Sequence, residues 1–275
     1  MSLIVVVFQY SHIHLSSSGK GEVFVKRLKS SGVACILASA MLFFSSLSES
    51  APILLESGGY SSFADSPFYG NTLNVFYLED FEDGLFNTPG VTAVANTPGV
   101  TPGVYSGQAA DSVDGDDGAI DGSGSAGHSL AGIPNVPAED LGFTFSFDAA
   151  ALGGLPTHAG IVWTDGGHGV STQFEAFDAD GVSLGVIGPV QTGDNSWYGT
   201  TAEDHFFGVI YDGGILGFTI RDPGGVNNLE VDHLQYGRNA AVPEPGVLPL
   251  LGSCLVVLTG YNRRRKGGSL NLSTI

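Results

Sequence analysis

Between residues 51 and 240, large apolar residues recur at every second position in short runs set off by glycine. Leu141-Gly-Phe-Thr-Phe-Ser-Phe147 shows the pattern most plainly, and Ser171 to Phe177 and Ile215 to Ile220 repeat it. A period of two puts alternate side chains on opposite faces of an extended chain, so each run predicts a half-buried strand. Leu73 to Phe81, His128 to Ile133, Ala159 to Thr164, Val182 to Val190, His205 to Tyr211 and Leu229 to Tyr236 predict six more. Asp178-Ala-Asp-Gly181 lies between two such runs and predicts a hairpin, because Asp and Gly supply the positive φ of tight turns. Short strands at this spacing, with almost no helical periodicity, predict an all-β domain built as a jelly-roll-like antiparallel β-sandwich.

Two segments break the pattern. Asn87-Thr-Pro-Gly-Val91, Asn96-Thr-Pro-Gly-Val100 and Thr101-Pro-Gly-Val104 form a local repeat in which Pro-Gly favours type II turns, and they predict a surface loop. Asp111 to Gly127 then sets Asp111, Asp114, Asp116, Asp117 and Asp121 among glycines. Gly118 comes one place too early after Asp114 for an EF-hand. An irregular calcium loop and a solvated acidic loop are equally open.

The flanks have a different texture. Lys26, Arg27 and Lys29 precede the apolar run Val33 to Leu47, and Ser46, Ser48, Ser50 and Ala51 follow as small residues. This is the basic, apolar and small-residue layout of a secretory signal, so residues 1–50 predict export. Residues 1–25 read as a long leading region or as a start assigned too early. At the other end, Gly246 to Tyr261 carries no charge but is shorter than the ~20 residues of a comfortable membrane span. Arg263, Arg264, Arg265 and Lys266 follow it and favour the cytoplasmic side, which leaves the preceding domain outside.

Charge is lopsided. Of 28 acidic residues, 25 fall within 51–240, where Arg221 and Arg238 are the sole Lys or Arg side chains; the domain carries about −23. Such a surface repels nucleic acid and anionic lipid, and it attracts divalent cations or simply stays soluble. Both cysteines, Cys35 and Cys254, lie in the flanks. The domain therefore has no disulfide, and a bound metal is a candidate for the missing stabilisation.

Val242-Pro243-Glu244-Pro245, the uncharged run and Arg263-Arg264-Arg265, in that order, resemble the PEP-CTERM sorting domain of bacterial secreted proteins. The resemblance covers 242–266. It implies a single hydrophobic helix held transiently in the inner membrane, processing by an exosortase-type enzyme, and delivery to the cell envelope, cell surface or extracellular matrix. The chain runs on past Lys266 to Ile275, farther than such tags usually extend. Gly154 to Gly167 and Thr201 to Gly208 are similar to segments of other exosortase-sorted proteins of unassigned role.

Phe76-Tyr-Leu-Glu-Asp-Phe-Glu-Asp-Gly84 opens the domain and Leu229-Glu-Val-Asp-His-Leu-Gln-Tyr236 closes it. This pairing resembles carbohydrate-binding-module-type jelly rolls, whose first and last strands hold a structural calcium. By that resemblance Glu82 and Asp232 are ligands, with Glu79 and Glu230 as additional ones. A glycan-binding role, with extracellular polysaccharide as partner, would use exposed aromatics; Trp197 and Tyr198 lie in a loop with Asp194 and Asn195 beside them, whereas Trp163 sits in an alternating strand and is expected in the core.

Chemistry-bearing motifs are sparse. Asp165 with Glu175, or Glu203 with Asp204, would serve as an acid and base pair, but carboxylates are too abundant for such pairs to be informative. The histidines lack metal-ligand spacing, and no Gly-x-Ser-x-Gly elbow, phosphate loop or dinucleotide fingerprint occurs. The sequence points to a non-enzymatic exported protein, with a carbohydrate-binding module as the alternative.

Overall fold

The computed structural model describes residues 50–239 apart from 108–109, 133–139, 167–170, 194–195, 197–198 and 225–227. The strands are β1 (Ile53–Gly58), β2 (Val75–Glu79), β3 (Val91–Ala95), β4 (Gly103–Ser106), β5 (His128–Gly132), β6 (Leu141–Phe147), β7 (His158–Asp165), β8 (Ser171–Asp178), β9 (Ser183–Gln191), β10 (His205–Ile210), β11 (Ile215–Asp222) and β12 (Leu229–Arg238). A single turn of helix, α1 (Ala149–Leu152), follows β6. Asp148 caps it by accepting from the amides of Ala150 and Ala151. The signal-like residues 1–49 and the sorting signal at 242–266 lie outside the described residues.

Two antiparallel sheets make an all-β sandwich. One has seven strands in the order β1-β10-β7-β12-β5-β4, with β2 joining β12; the other has five, β3-β6-β11-β8-β9. Each run predicted from alternation is a strand, and the Asp178–Gly181 hairpin joins β8 to β9 with Gly181 at φ 75°. The facing sides carry the apolar members of each run. Phe145 and Phe174 lie 4.9 and 5.1 Å from Phe218 within the five-stranded sheet, while Phe147 reaches Tyr236 at 5.0 Å across the gap. Trp163 is fully buried in this core, as its place in an alternating strand predicts.

The repeat at 87–104 is not a plain surface loop. Its turns form, with Gly90 and Gly99 at φ 69° and 83°, and Val100 donates to the carbonyl of Thr97. Between and after the turns, however, the chain is extended: β3 pairs with β6 and turns Val91, Ala93 and Ala95 to the core, and β4 pairs with β5. Pro-Gly fixes the corners, and the alternating small apolar residues between them still find a ladder.

A second, smaller apolar cluster lies on the outer face of the seven-stranded sheet. Val162 of β7 and Phe206 of β10 project there and are covered by Tyr60, Phe68 and Val113. The covering segments, 59–72 and 110–127, are tied to the sheet and to each other. Gly59 and Tyr60 donate to the carbonyl of Asp204, and Gly115 donates to the carbonyl of Ser61.

Candidate functional site

The site beneath this cover begins with an irregularity in β12. Apolar residues face the core at 229 and 231 and then at 234 and 236, so the two-residue period slips by one. Asp232 pairs with Val162 and Gln235 with Gly160, which sets three steps of β12 against two of β7. That is a β-bulge. The extra residue is absorbed at His233, whose φ of 43° is left-handed. The bulge lies where the outer neighbour of β12 changes from β5 to β2, and it turns Asp232, His233 and Gln235 toward the cover.

A directional hydrogen-bond chain runs through these side chains. Gln235 Nε2 donates to the carbonyl of His233 at 3.2 Å and to Tyr60 Oη at 2.9 Å, and Ser66 donates to Gln235 Oε1. Tyr60 Oη already accepts, so its proton goes to His233 Nδ1 at 2.9 Å. His233 then carries its hydrogen on Nε2 and donates to Asp116 Oδ1 at 2.9 Å. Asp116, Asp232 and His233 thus bring one ligand-type atom each within 4.8 Å of one another. Asp232 accepts from the amides of Val113 and His233 at 2.9 and 2.6 Å. Complete burial, and then the charge of Asp116, push its carboxyl well above the usual range.

Around this chain lies a concentration of buried acid. Asp111, Asp114, Asp165, Glu203, Asp204, Glu230 and Asp232 are each at most 3% exposed. Burial, followed by the charges of Asp111, Glu203 and Asp114, drives Asp204 well above the ordinary carboxyl range. Burial and then Asp165 push Glu230 up to about 8, opposed by the amide of Asp111, which donates to it at 2.9 Å. Both arginines of the domain are engaged elsewhere: Arg221 with Asp140 and Gln173, Arg238 with the carbonyl of Leu152.

The acidic loop is accordingly only half solvated. Asp111 and Asp114 are buried, while 117–122 form an exposed tip. Asp114 holds the loop together by accepting from the amides of Asp121, Gly122 and Ser123 at 3.0, 3.0 and 3.2 Å. Asp117 and Asp121 stay in solvent, so the fully solvated reading fails for one half of the segment and holds for the other.

The residues expected to hold calcium serve separate partners. Glu79 accepts from the amides of Phe81, Asn87 and Thr88 at 3.2, 3.0 and 3.0 Å and so closes the loop after β2. Glu82 takes the amide of His128 at 2.5 Å and its Nδ1 at 3.3 Å. Glu230 and Asp232 face the cover through the amides of Asp111 and Val113. Asp165 and Glu175 stand on different sheets, whereas Glu203 and Asp204 are adjacent and both buried. Asp194, Asn195, Trp197 and Tyr198 lie outside the described residues. Sequence reasoning passed over His233, Gln235 and Tyr60; the phase slip in β12 was the available signal for the first two.

Compared with protein-family models and with curated proteins, the chain matches none.

Proposed function

We propose that this chain is a non-enzymatic exported protein of the bacterial envelope or extracellular matrix, sorted through residues 242–266 by an exosortase-type enzyme, with a jelly-roll-type sandwich as its working body. The observation that carries this reading is the order Pro243-Glu244-Pro245, uncharged run, Arg263-Arg264-Arg265 behind a domain that holds 25 acidic residues and no lysine. A body so acidic stays soluble and hydrated among polysaccharides and binds counter-cations rather than nucleic acid. The buried carboxylates support a structural role, because Asp204 and Asp232 are sealed from any polymeric substrate.

Binding of carbohydrate is the second reading. It draws on a shallow depression on the outer face of the five-stranded sheet, where Phe177 offers a ring beside Thr144, Glu175 and Arg221. An apolar face flanked by a few polar groups is what a sugar ring uses.

Fractionation of the producing cell tests the first reading. Full-length chain should reach the envelope, and a chain with Pro243 and Pro245 changed to alanine should accumulate at the inner membrane unprocessed. Intact wild-type protein dispersed in the cytosol would refute it. A glycan array with the full chain tests the second, and a blank array leaves the matrix role.

A further inference from the structure

Asp204 stands at the end of a 3-10 turn, Thr201–Glu203, immediately ahead of β10, where both covering segments reach the sheet. Its carbonyl accepts the amides of Gly59 and Tyr60 at 3.1 and 3.2 Å, and the amide of Asp114 in the other segment approaches its carboxyl. Gly115 donates to the carbonyl of Ser61 at 2.8 Å, so the two segments are tied and neither lifts alone. The Asp204 carboxyl is fully buried, and among the described residues neither of its oxygens makes a hydrogen bond of good geometry. In such a place the neutral acid is the lower-energy form, because a buried carboxylate needs donors or a cation.

The surroundings offer Asp204 no counter-charge. Asp111 and Asp114 face it from the 110–127 segment and Glu203 from the 3-10 turn. Asp65, the one charged residue of 59–72, takes the amides of Ser61 and Ser62. On β7, Asp165 pairs in register with Glu230 of β12 and accepts from the side chain of Asn228 at 3.2 Å. Asp232 of β12 takes the amides of Val113 and His233. His205, the next residue on β10, turns to Glu56 of β1, and His233 is occupied by Tyr60 and Asp116. Arg221 and Arg238 are committed elsewhere. Carboxyl groups therefore line both sides of the contact, and like charges there repel as they ionise.

We propose that Asp204 is a pH-operated latch: as the neutral acid it lies sealed beneath residues 59–72 and 110–127, and on ionising it draws in water, lifts both segments and uncovers the apolar cluster around Val162 and Phe206. Burial first, and then the charges of Asp111, Glu203 and Asp114, hold its carboxyl well above the usual range. With the cover open, the carboxyl returns to its ordinary value near 4. The latch is therefore fully engaged below about pH 4 and is lost as pH rises through the folded value. Over that interval the closed-to-open ratio falls by about tenfold for each pH unit. The latch belongs to the folded domain, so it can fail while the sorting reading stands, and the converse also holds.

Hydrogen exchange of the full chain tests this at the amides of Gly59, Tyr60 and Gly115, which are bonded only while the cover is closed. After correction for intrinsic exchange, wild-type protection should fall by about tenfold or more from pH 5 to pH 7, one pH unit of the linkage at the least. Fluorescence of the neutral apolar dye Nile red should rise in step. Asp204→Asn, which cannot ionise, should show a fall about tenfold smaller or less, whereas Asp180→Asn, at an exposed hairpin, should behave as wild type. If Asp204→Asn does not fold, Asp204→Ser should show the same flattening. Wild-type protection that stays level from pH 5 to pH 7 overturns the proposal whether or not either variant folds. A fall that persists undiminished without Asp204 overturns it as well, and its removal by Glu230→Gln or Asp232→Asn would put the latch on β12 instead.

Discussion

Tyr60→Phe removes one oxygen from the centre of the covered network and almost nothing else. The ring of Tyr60 is 1% exposed, stacks near Phe206 at 6.2 Å and meets the edge of His233 at 5.5 Å, and phenylalanine keeps both contacts. The hydroxyl, by contrast, links Gln235 to His233. Without it His233 Nδ1 is a buried acceptor with no donor, which costs about 1–3 kcal/mol. Gln235 keeps the carbonyl of His233 and forfeits one bond, worth about 1 kcal/mol net. The expected loss is therefore about 2–4 kcal/mol, or about 4–16 °C in Tm for a domain of this size. Scanning calorimetry and urea unfolding of the full chain measure it, with Tyr69→Phe as control because Tyr69 is 60% exposed. A Tyr60→Phe loss within about 0.5 kcal/mol of the control would show that the network does not hold the cover in place.

Gly124→Ala should open the acidic segment: a Cβ there would stand 1.9 Å from the carbonyl oxygen of Ser112, which the fold cannot accommodate without separating the two arms. Limited proteolysis within 110–127 should become faster than in wild type, and equal rates would refute the packing described. At high pH, burial pushes the phenol of Tyr236 up to about 12 and that of Tyr60 further still. A group with its folded pKa raised contributes stability that is complete below the unfolded value near 10 and is lost as pH climbs toward 12. Absorbance at 295 nm should therefore show these two phenols ionising together with unfolding, and early ionisation of all nine tyrosines in a folded chain would contradict it.

Strands flanked by glycine and carrying large residues at alternate positions were readable because burial on one face imposes that pattern directly. β1 was not, since Ile53–Gly58 lies at a sheet edge with a mostly half-exposed burial pattern that demands no alternation. β3 hid behind its prolines: Val91, Ala93 and Ala95 alternate, but the Pro-Gly corners on either side outweighed three small side chains. The covered site was harder. Glu230 and Asp232 alternate with core residues, so the local pattern assigns them to solvent; only a segment more than a hundred residues earlier, arriving through the amides of Asp111 and Val113, makes that face interior. Asp111 to Gly127 gives little warning of this, because Val113 is the lone large apolar residue of its buried arm.

The position of β12 has a mechanical consequence. β12 is the last of the described strands and is bonded to β7 along one edge and to β5 and β2 along the other. Tension applied to the residues that follow would enter the sheet along its interior strand and load both ladders in shear, so that many bonds must slide at once. A tether attached to a peripheral strand would instead unzip it pair by pair.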